Sequence, residues 1–386
     1  MLRKKKEVAI QRRHPWVFSG AIYRKPDDLE EGATVEVVDA ENNYLATGHY
    51  QDGSIAIRLI SFEKRSINPG FWKEKVHNAY NLRKKLGLGP GTATTAYRLL
   101  HAEGDGLPGL IVDVYHQTAV MQCHSVGMYR NREAIAKALV SLPGISVVYN
   151  KSAGVLTKRP DLDVTDGYLV KEQPVPAEIR EHGHKFLINW ETGQKTGFFL
   201  DQRPNRALLG HYAKGQTVLN TFSYSGGFSV YALAAGAQRV VSVDISGKAV
   251  DLVNQNIAAN EFSTPHEAVT ADVLEYLQEN KTTYDIVVVD PPAFAKNQRK
   301  RHNAVQGYKR LNALALQRVK PGGLLFTFSC SQVVDKALFD HTITAAALEV
   351  GRPIRVLHHL SQGPDHPVSI FHPEGSYLKG LVLEVG

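Results

Sequence analysis

Polar residues recur where short apolar runs of this chain stop. Val218-Leu219-Asn220-Thr221-Phe222 leads into Ser223-Tyr224-Ser225-Gly226-Gly227-Phe228. Val240-Val241-Ser242-Val243 ends in Asp244-Ile245, a third run ends in Ala271-Asp272-Val273, and a fourth in Asp290-Pro291-Pro292-Ala293-Phe294. Glycines at a strand-to-helix junction let the backbone pass close to a ligand and start the helix tightly. An acid after the second strand can bind both hydroxyls of a ribose. The acid after the third is placed to meet an adenine amino group. A single strand-end aspartate is as often a helix cap. Polar signals at four successive strand ends instead match the carboxyl-end ligand site of a doubly wound sheet. The G-x-G-x-x-G dinucleotide fingerprint is absent. That argues against a dehydrogenase and leaves an adenosine without a pyrophosphate cradle. A fifth run ends in Phe328-Ser329-Cys330-Ser331, which adds a thiol to the same edge.

These residues need a particular set of elements to hold them. Apolar runs at 217–222, 239–243, 267–270, 285–289 and 324–328 alternate with helical stretches at 226–236, 246–260, 273–280, 303–319 and 334–350. Alternating β and α with nearly continuous apolar strands implies a parallel sheet covered on both faces. A late antiparallel pair, 355–359 and 381–385, would close it. The expected class is α/β. In such a sheet the fourth and fifth strands are neighbours, so Asp290 and Cys330 would face each other across one place.

The rest of the chain reads differently. Residues 34–39 and 54–60 alternate apolar and polar at the strand period, with Asp52-Gly53 as a turn, so 1–67 is expected to be a small β-barrel domain. Asn68-Pro69-Gly70 marks a boundary. A helix over 71–86 is stopped by Gly87, Gly89, Pro90 and Gly91. Strands at 97–100, 110–114, 119–123 and 146–149 and a helix near 131–140 make 68–175 a small α+β middle domain. Residues 177–190 read as a hairpin turning at His182-Gly183, which would open a third domain over 176–386.

Composition bounds the partners. With 43% hydrophobic and 22% charged residues the chain is globular, and no apolar run reaches the ~20 residues that cross a bilayer, so no membrane partner is expected. No secretory signal follows the basic start, and the two cysteines make no disulfide scaffold, so a cytoplasmic protein is expected. The net charge of +7 favours a polyanion, although a basic surface can also serve solubility. No metal site is expected.

The sequence resembles class I S-adenosylmethionine (SAM)-dependent methyltransferases, and is most similar to the bacterial RlmI-like family that makes 5-methylcytosine in large-subunit rRNA. His14-Pro15-Trp16-Val17-Phe18-Ser19-Gly20 resembles the start of that family's N-terminal PUA domain, an RNA-binding barrel. Glu103-Gly104-Asp105-Gly106-Leu107-Pro108-Gly109-Leu110 resembles its middle domain. Thr192-Gly193-Gln194-Lys195-Thr196-Gly197-Phe198-Phe199-Leu200-Asp201-Gln202-Arg203 resembles the entry to its Rossmann-like methyltransferase domain. The resemblance implies SAM as cofactor, held by Gln194, Phe222, Tyr224, Ser225, Gly226, Asp244, Ile245, Asp272, Val273 and Asp290. It implies large-subunit rRNA as partner, leaves a homodimer open, and assigns the nucleophile to Cys330.

The chemistry explains that assignment. Carbon 5 of cytosine is a poor nucleophile until a thiolate adds to carbon 6, and only a group that both attacks and leaves well can serve. Asp290 would stabilise charge on the ring. The base that removes the carbon-5 proton stays open among Asp201, His366 and water. Cys330 could instead be a small core residue, and Cys123 reads as one. Phe294 can stack on a flipped base. Lys296, Arg299, Lys300 and Arg301 then read either as phosphate contacts or as a solvated helix approach. Two other functions compete. Asp-Pro-Pro-Ala-Phe also suits methylation of a ring amine of guanine or adenine, which needs no cysteine. A non-catalytic SAM- and RNA-binding assembly protein is the third reading.

Overall fold

The computed structural model of the chain describes all residues except 157–161 and 296. It divides into two compact units. One comprises 1–183, 188–201 and 364–375; the other comprises 184–187, 202–363 and 376–386.

In the first unit, the predicted alternation produces an antiparallel four-stranded sheet of Trp16–Phe18, Ile55–Ser61, Tyr44–Tyr50 and Thr34–Val38, in that spatial order. Its inward residues, among them Val17, Val37, Ala46, Ile57 and Leu59, close on Leu2 and Ile10. The helix expected over 71–86 starts earlier, at Pro69–Lys85. Asn68 accepts a hydrogen bond from the Phe71 amide at 3.1 Å, and Pro69 fills the first turn. The helix thus opens on a cap followed by a proline that costs no hydrogen bond there. Five further strands form a mixed sheet in chain order: Ala96–His101, Leu110–Tyr115, Thr118–Cys123, Val147–Asn150 and Gly167–Val170. Helices Pro69–Lys85 and Arg132–Leu139 pack on it, and Cys123 is fully buried in its core. Burial pushes the Cys123 thiol up to about 12, so it stays protonated and inert.

A buried ionic network ties the unit together. Arg83 grips Asp105 through both guanidinium nitrogens and donates to the Asp365 carbonyl at 2.7 Å. The Asp365 carboxylate accepts from the Arg98 amide at 3.0 Å, and Arg98 pairs with Asp113. Gly104 is obligatory beside this network. A Cβ there would lie 1.9 Å from the Pro367 carbonyl oxygen.

The second unit holds the predicted α/β sheet. Its strands are β1 (Thr217–Thr221), β2 (Arg239–Asp244), β3 (His266–Thr270), β4 (Tyr284–Val289), β5 (Val319–Ser329), β6 (Ile354–Leu360) and β7 (Lys379–Val385). The spatial order is β3-β2-β1-β4-β5-β7-β6, parallel through β5 and antiparallel for β7 against β5 and β6. Helices α1 (Arg203–Ala213), α2 (Gly227–Ala234), α3 (Gly247–Ala259), α4 (Val273–Glu279), α5 (Arg301–Leu316) and α6 (Lys336–Val350) occupy the connections. Two apolar clusters, one on each face, explain why the central strands read as continuous apolar runs. Strand β5 is longer than the expected 324–328 because Pro321, Gly322 and Gly323 interrupt its apolar pattern without ending its pairing. Helix α5 starts and ends earlier than the expected 303–319, since Val319 already pairs with Tyr284.

Candidate active site

The loop from β1 to α2 is built around unusual backbone. Phe222, Tyr224 and Gly226 have φ of +54°, +45° and +73°, the left-handed region. Gly226 caps α2 in that conformation, and a Cβ there would lie 3.0 Å from Val253. At Gly227 a Cβ would lie 2.9 Å from the Arg206 side chain. Two glycines are thus needed to let the chain turn and lie against its neighbours. Asn256 fixes the loop from behind, donating to the Ser225 carbonyl at 2.8 Å and accepting from the Leu187 amide at 2.7 Å.

Asp244, at the end of β2, is half-buried. One carboxylate oxygen accepts from the Tyr224 amide and the other from the Ser246 amide, each at 2.9 Å. It joins the loop after β1 to the turn after β2, and its neighbour Ile245 is 69% exposed. Asp272 takes the helix-cap role, accepting from Leu274 and Glu275 amides through one oxygen. Val273 is buried beneath it. Under this edge runs a polar chain absent from the sequence reading: Asn220 to Ser229, Ser229 to Ser242 and Ser242 to His266, at 2.9, 2.7 and 2.9 Å.

These features suit an adenosyl cofactor. Ser223 is buried in the loop, and its hydroxyl has no partner among the described residues. A buried hydroxyl without a partner is costly, and a ligand polar group at this place would relieve it.

The reacting groups lie on the two next strand ends. Strands β4 and β5 pair with Val289 opposite Thr327, so Asp290 and Cys330 leave adjacent strands at the same edge. Gln202 donates to Asp290 Oδ2 at 2.9 Å and accepts from Asn205 at 2.6 Å. Cys330 is half-buried and packs against the apolar cluster that contains Phe228, Phe328 and Leu378. Burial pushes the Tyr308 phenol up to about 12, and the nearby Cys330 and Asp290 add to the rise. Phe294 rests on Tyr308 with ring centroids 4.6 Å apart, so one face of its ring is already covered.

The remaining expected site residues are divided between the two units. Lys296 lies outside the described residues. Arg299, Lys300 and Arg301 are exposed where a short 3-10 turn enters α5. Gln194, Asp201 and His366 belong to the first unit. Gln194 is exposed in a turn whose Gly197 amide donates back to its carbonyl at 2.8 Å. His366 is buried, within 3.2 Å of Asp365 and with its ring 5.1 Å from that of His101. Among the described residues one trio could hold a metal ion: His14, His372 and Glu374 of the first unit, with ligand atoms within 4.8 Å. There the Trp16 ring packs at 4.4 Å on His372, whose pKa is lowered by burial, and the Glu374 carboxylate lies 4.0 Å from His14 and 3.8 Å from His372.

Comparison with known proteins follows the same lines. Residues 1–62 match a PUA-like domain and residues 127–369 match a family described as S-adenosylmethionine-dependent methyltransferase. The chain is 40% identical to ribosomal RNA large subunit methyltransferase I of Alteromonas mediterranea, over 100% of this chain and 98% of that one. It is 39% identical to the protein of that name from Vibrio parahaemolyticus, with the same coverage. Among solved structures, the methyltransferase SMU.776 in complex with SAH superposes with a TM-score of 0.84 at 26% identity, over 98% of this chain and 97% of that one.

Proposed function

Because this chain belongs to the SAM-dependent methyltransferases, in the family of ribosomal RNA large subunit methyltransferase I, we propose that it methylates carbon 5 of a cytosine in large-subunit rRNA through a covalent Cys330 adduct. The observation that carries this reading is the placement of Cys330 and Asp290 at the ends of paired strands β5 and β4.

The cofactor, when bound, supplies an electrophilic methyl group on a sulfonium and departs as a neutral thioether. The loop from Phe222 to Gly226, with Asp244, Ile245, Asp272 and Val273, is the proposed set that holds it. Asp244 presents its carboxylate to the ribose hydroxyls while keeping the Tyr224 amide in place. The Cys330 thiolate adds to carbon 6 of the cytosine, and the ring electron pair is displaced toward carbon 5. Asp290, oriented by Gln202, binds N3 and the exocyclic amine; in its protonated form it donates to N3 and so neutralises the negative charge that thiolate addition places on the ring. Carbon 5 takes the methyl group, loses its proton to a base, and the returning electron pair breaks the carbon–sulfur bond. The exposed cations Arg299, Lys300 and Arg301 fit phosphates of the RNA strand. Phe294 is the proposed stacking partner of the extruded base.

The test is Cys330→Ala. It is expected to abolish methyl transfer while leaving SAM and RNA binding nearly intact, because the missing step is covalent. RNA with 5-fluorocytosine at the target is expected to trap the wild-type protein as an adduct resolved on a denaturing gel, since fluorine cannot leave as a cation. Normal methylation by Cys330→Ala would overturn the carbon-5 reading in favour of nitrogen methylation at the Asp290-Pro291-Pro292-Ala293-Phe294 edge.

A further inference from the structure

The two serines that flank Cys330 are both buried, and the hydroxyl of each hydrogen-bonds to backbone. The Ser331 hydroxyl donates to the Ala295 carbonyl at 2.7 Å. The Ser331 amide donates to the Ser329 hydroxyl at 3.3 Å. Lys379, paired across the sheet with Ser329, sends its ammonium to the Ser331 carbonyl at 2.7 Å. That carbonyl also accepts from the Val334 amide at 3.2 Å. Ser331 is 1% exposed and Ala295 3%, so water cannot replace the bond between them.

Each end of this chain of bonds has a meaning. Ala295 directly follows Phe294 and closes the loop that begins at Asp290. Ser331 directly follows Cys330. Backbone pairing of β4 with β5 ends at Val289 and Thr327, so beyond that point the ladder no longer sets the distance between the two loops. The Ser331 to Ala295 bond takes over that task beyond the end of the ladder. Lys379 anchors the same turn to β7 from the other side, at some cost, because burial lowers the pKa of its ammonium.

We propose that Ser331 is a positioning residue: with Lys379 it clamps the Cys330 turn to the loop carrying Asp290 and Phe294, and so sets the thiol in register with the flipped base. The proposal rests on Cys330 being the nucleophile. It gives the Ser331 hydroxyl a task beyond packing, which any small residue could meet. Near-attack geometry tolerates little error, and a displacement of about 1 Å can cost about 100-fold in rate.

The experiment compares wild type, Ser331→Ala, Ser331→Thr and Lys379→Met in the full-length protein. The measurements are the rate of adduct formation with 5-fluorocytosine RNA, kcat and KM for methyl transfer, SAM affinity and the thermal midpoint. Ser331→Ala is expected to slow adduct formation by about tenfold or more, in kcat rather than in the KM for SAM. Ser331→Thr, which keeps the hydroxyl, is expected to restore most of the rate. Lys379→Met should slow the same step with SAM affinity unchanged. Adduct formation by Ser331→Ala within about twofold of wild type would overturn the clamp while leaving Cys330 as nucleophile. Loss of rate in step with a lowered thermal midpoint, unrescued by threonine, would also overturn it. Absence of any adduct in wild type, with methylation retained by Cys330→Ala, would instead remove the nucleophile and the clamp together.

Discussion

Gln202 donates through Nε2 to Asp290 Oδ2 at 2.9 Å while its own carbonyl oxygen is held by Asn205 at 2.6 Å. Gln202 is 3% exposed, so this amide has a single orientation and passes it on to the carboxylate. Gln202→Leu is therefore expected to lower single-turnover methyl transfer by about 10- to 100-fold with little change in SAM affinity. Gln202→Glu should be worse, because a second carboxylate against Asp290 raises the pKa of one of the two. An unchanged turnover rate in Gln202→Leu would show that Asp290 needs no such orientation.

Asp244 has a double task, and two substitutions separate its parts. Asp244→Ala removes both the proposed ribose acceptor and the hold on Tyr224, and should weaken SAM binding by roughly 1.5–3 kcal/mol. Asp244→Asn keeps one acceptor oxygen for the loop but removes the charge, and an intermediate loss is expected. Calorimetry finding wild-type affinity in Asp244→Ala would take this residue out of the cofactor site.

Replacing Arg299, Lys300 and Arg301 by glutamine should weaken RNA binding and flatten its salt dependence. The slope of log K against log salt falls by roughly 0.7 for each single-strand phosphate that the protein no longer neutralises. Titrations at several salt concentrations measure it, with SAM affinity as the control. A slope equal to that of wild type would identify these cations as solvated surface.

In the first unit, Arg83 is fully buried and bridges Asp105 to the Asp365 carbonyl. Removing one partner of a buried pair strands the other charge. Arg83→Met is expected to destabilise the unit by roughly 3–5 kcal/mol. Denaturant unfolding measures this, and a loss below about 1 kcal/mol would mean that Asp105 finds other partners.

The α/β order of the second unit was legible because burial repeats along each element. Strands β1 to β4 read as apolar runs, and α4 lies within the helical stretch expected at 273–280; that Asp272 caps it emerged only from the structure. The loop glycines were legible for a local reason too: few residues other than glycine pass through a tight turn with positive φ. The errors were local in the same sense. The helix expected from Phe71 begins at Pro69, because Asn68 caps it, and Pro321-Gly322-Gly323 hid the first half of β5.

Sequence alone determined the kinds of residue available at the strand ends: glycines, aspartates and one cysteine, each with chemistry its side chain carries wherever it sits. Only the tertiary structure decided what those residues touch. Gln202 reaches Asp290 from 88 positions away, and Ser331 reaches the Ala295 carbonyl from 36. Residues 364–375 pack in the first unit although their neighbours on both sides pack in the second. Such partnerships leave no periodic trace, because a hydrogen bond depends on which strand lies beside which and in what register. Apolar burial needs only a face, and a face repeats along the chain; a polar contact needs one particular atom, and its position is set by the whole fold.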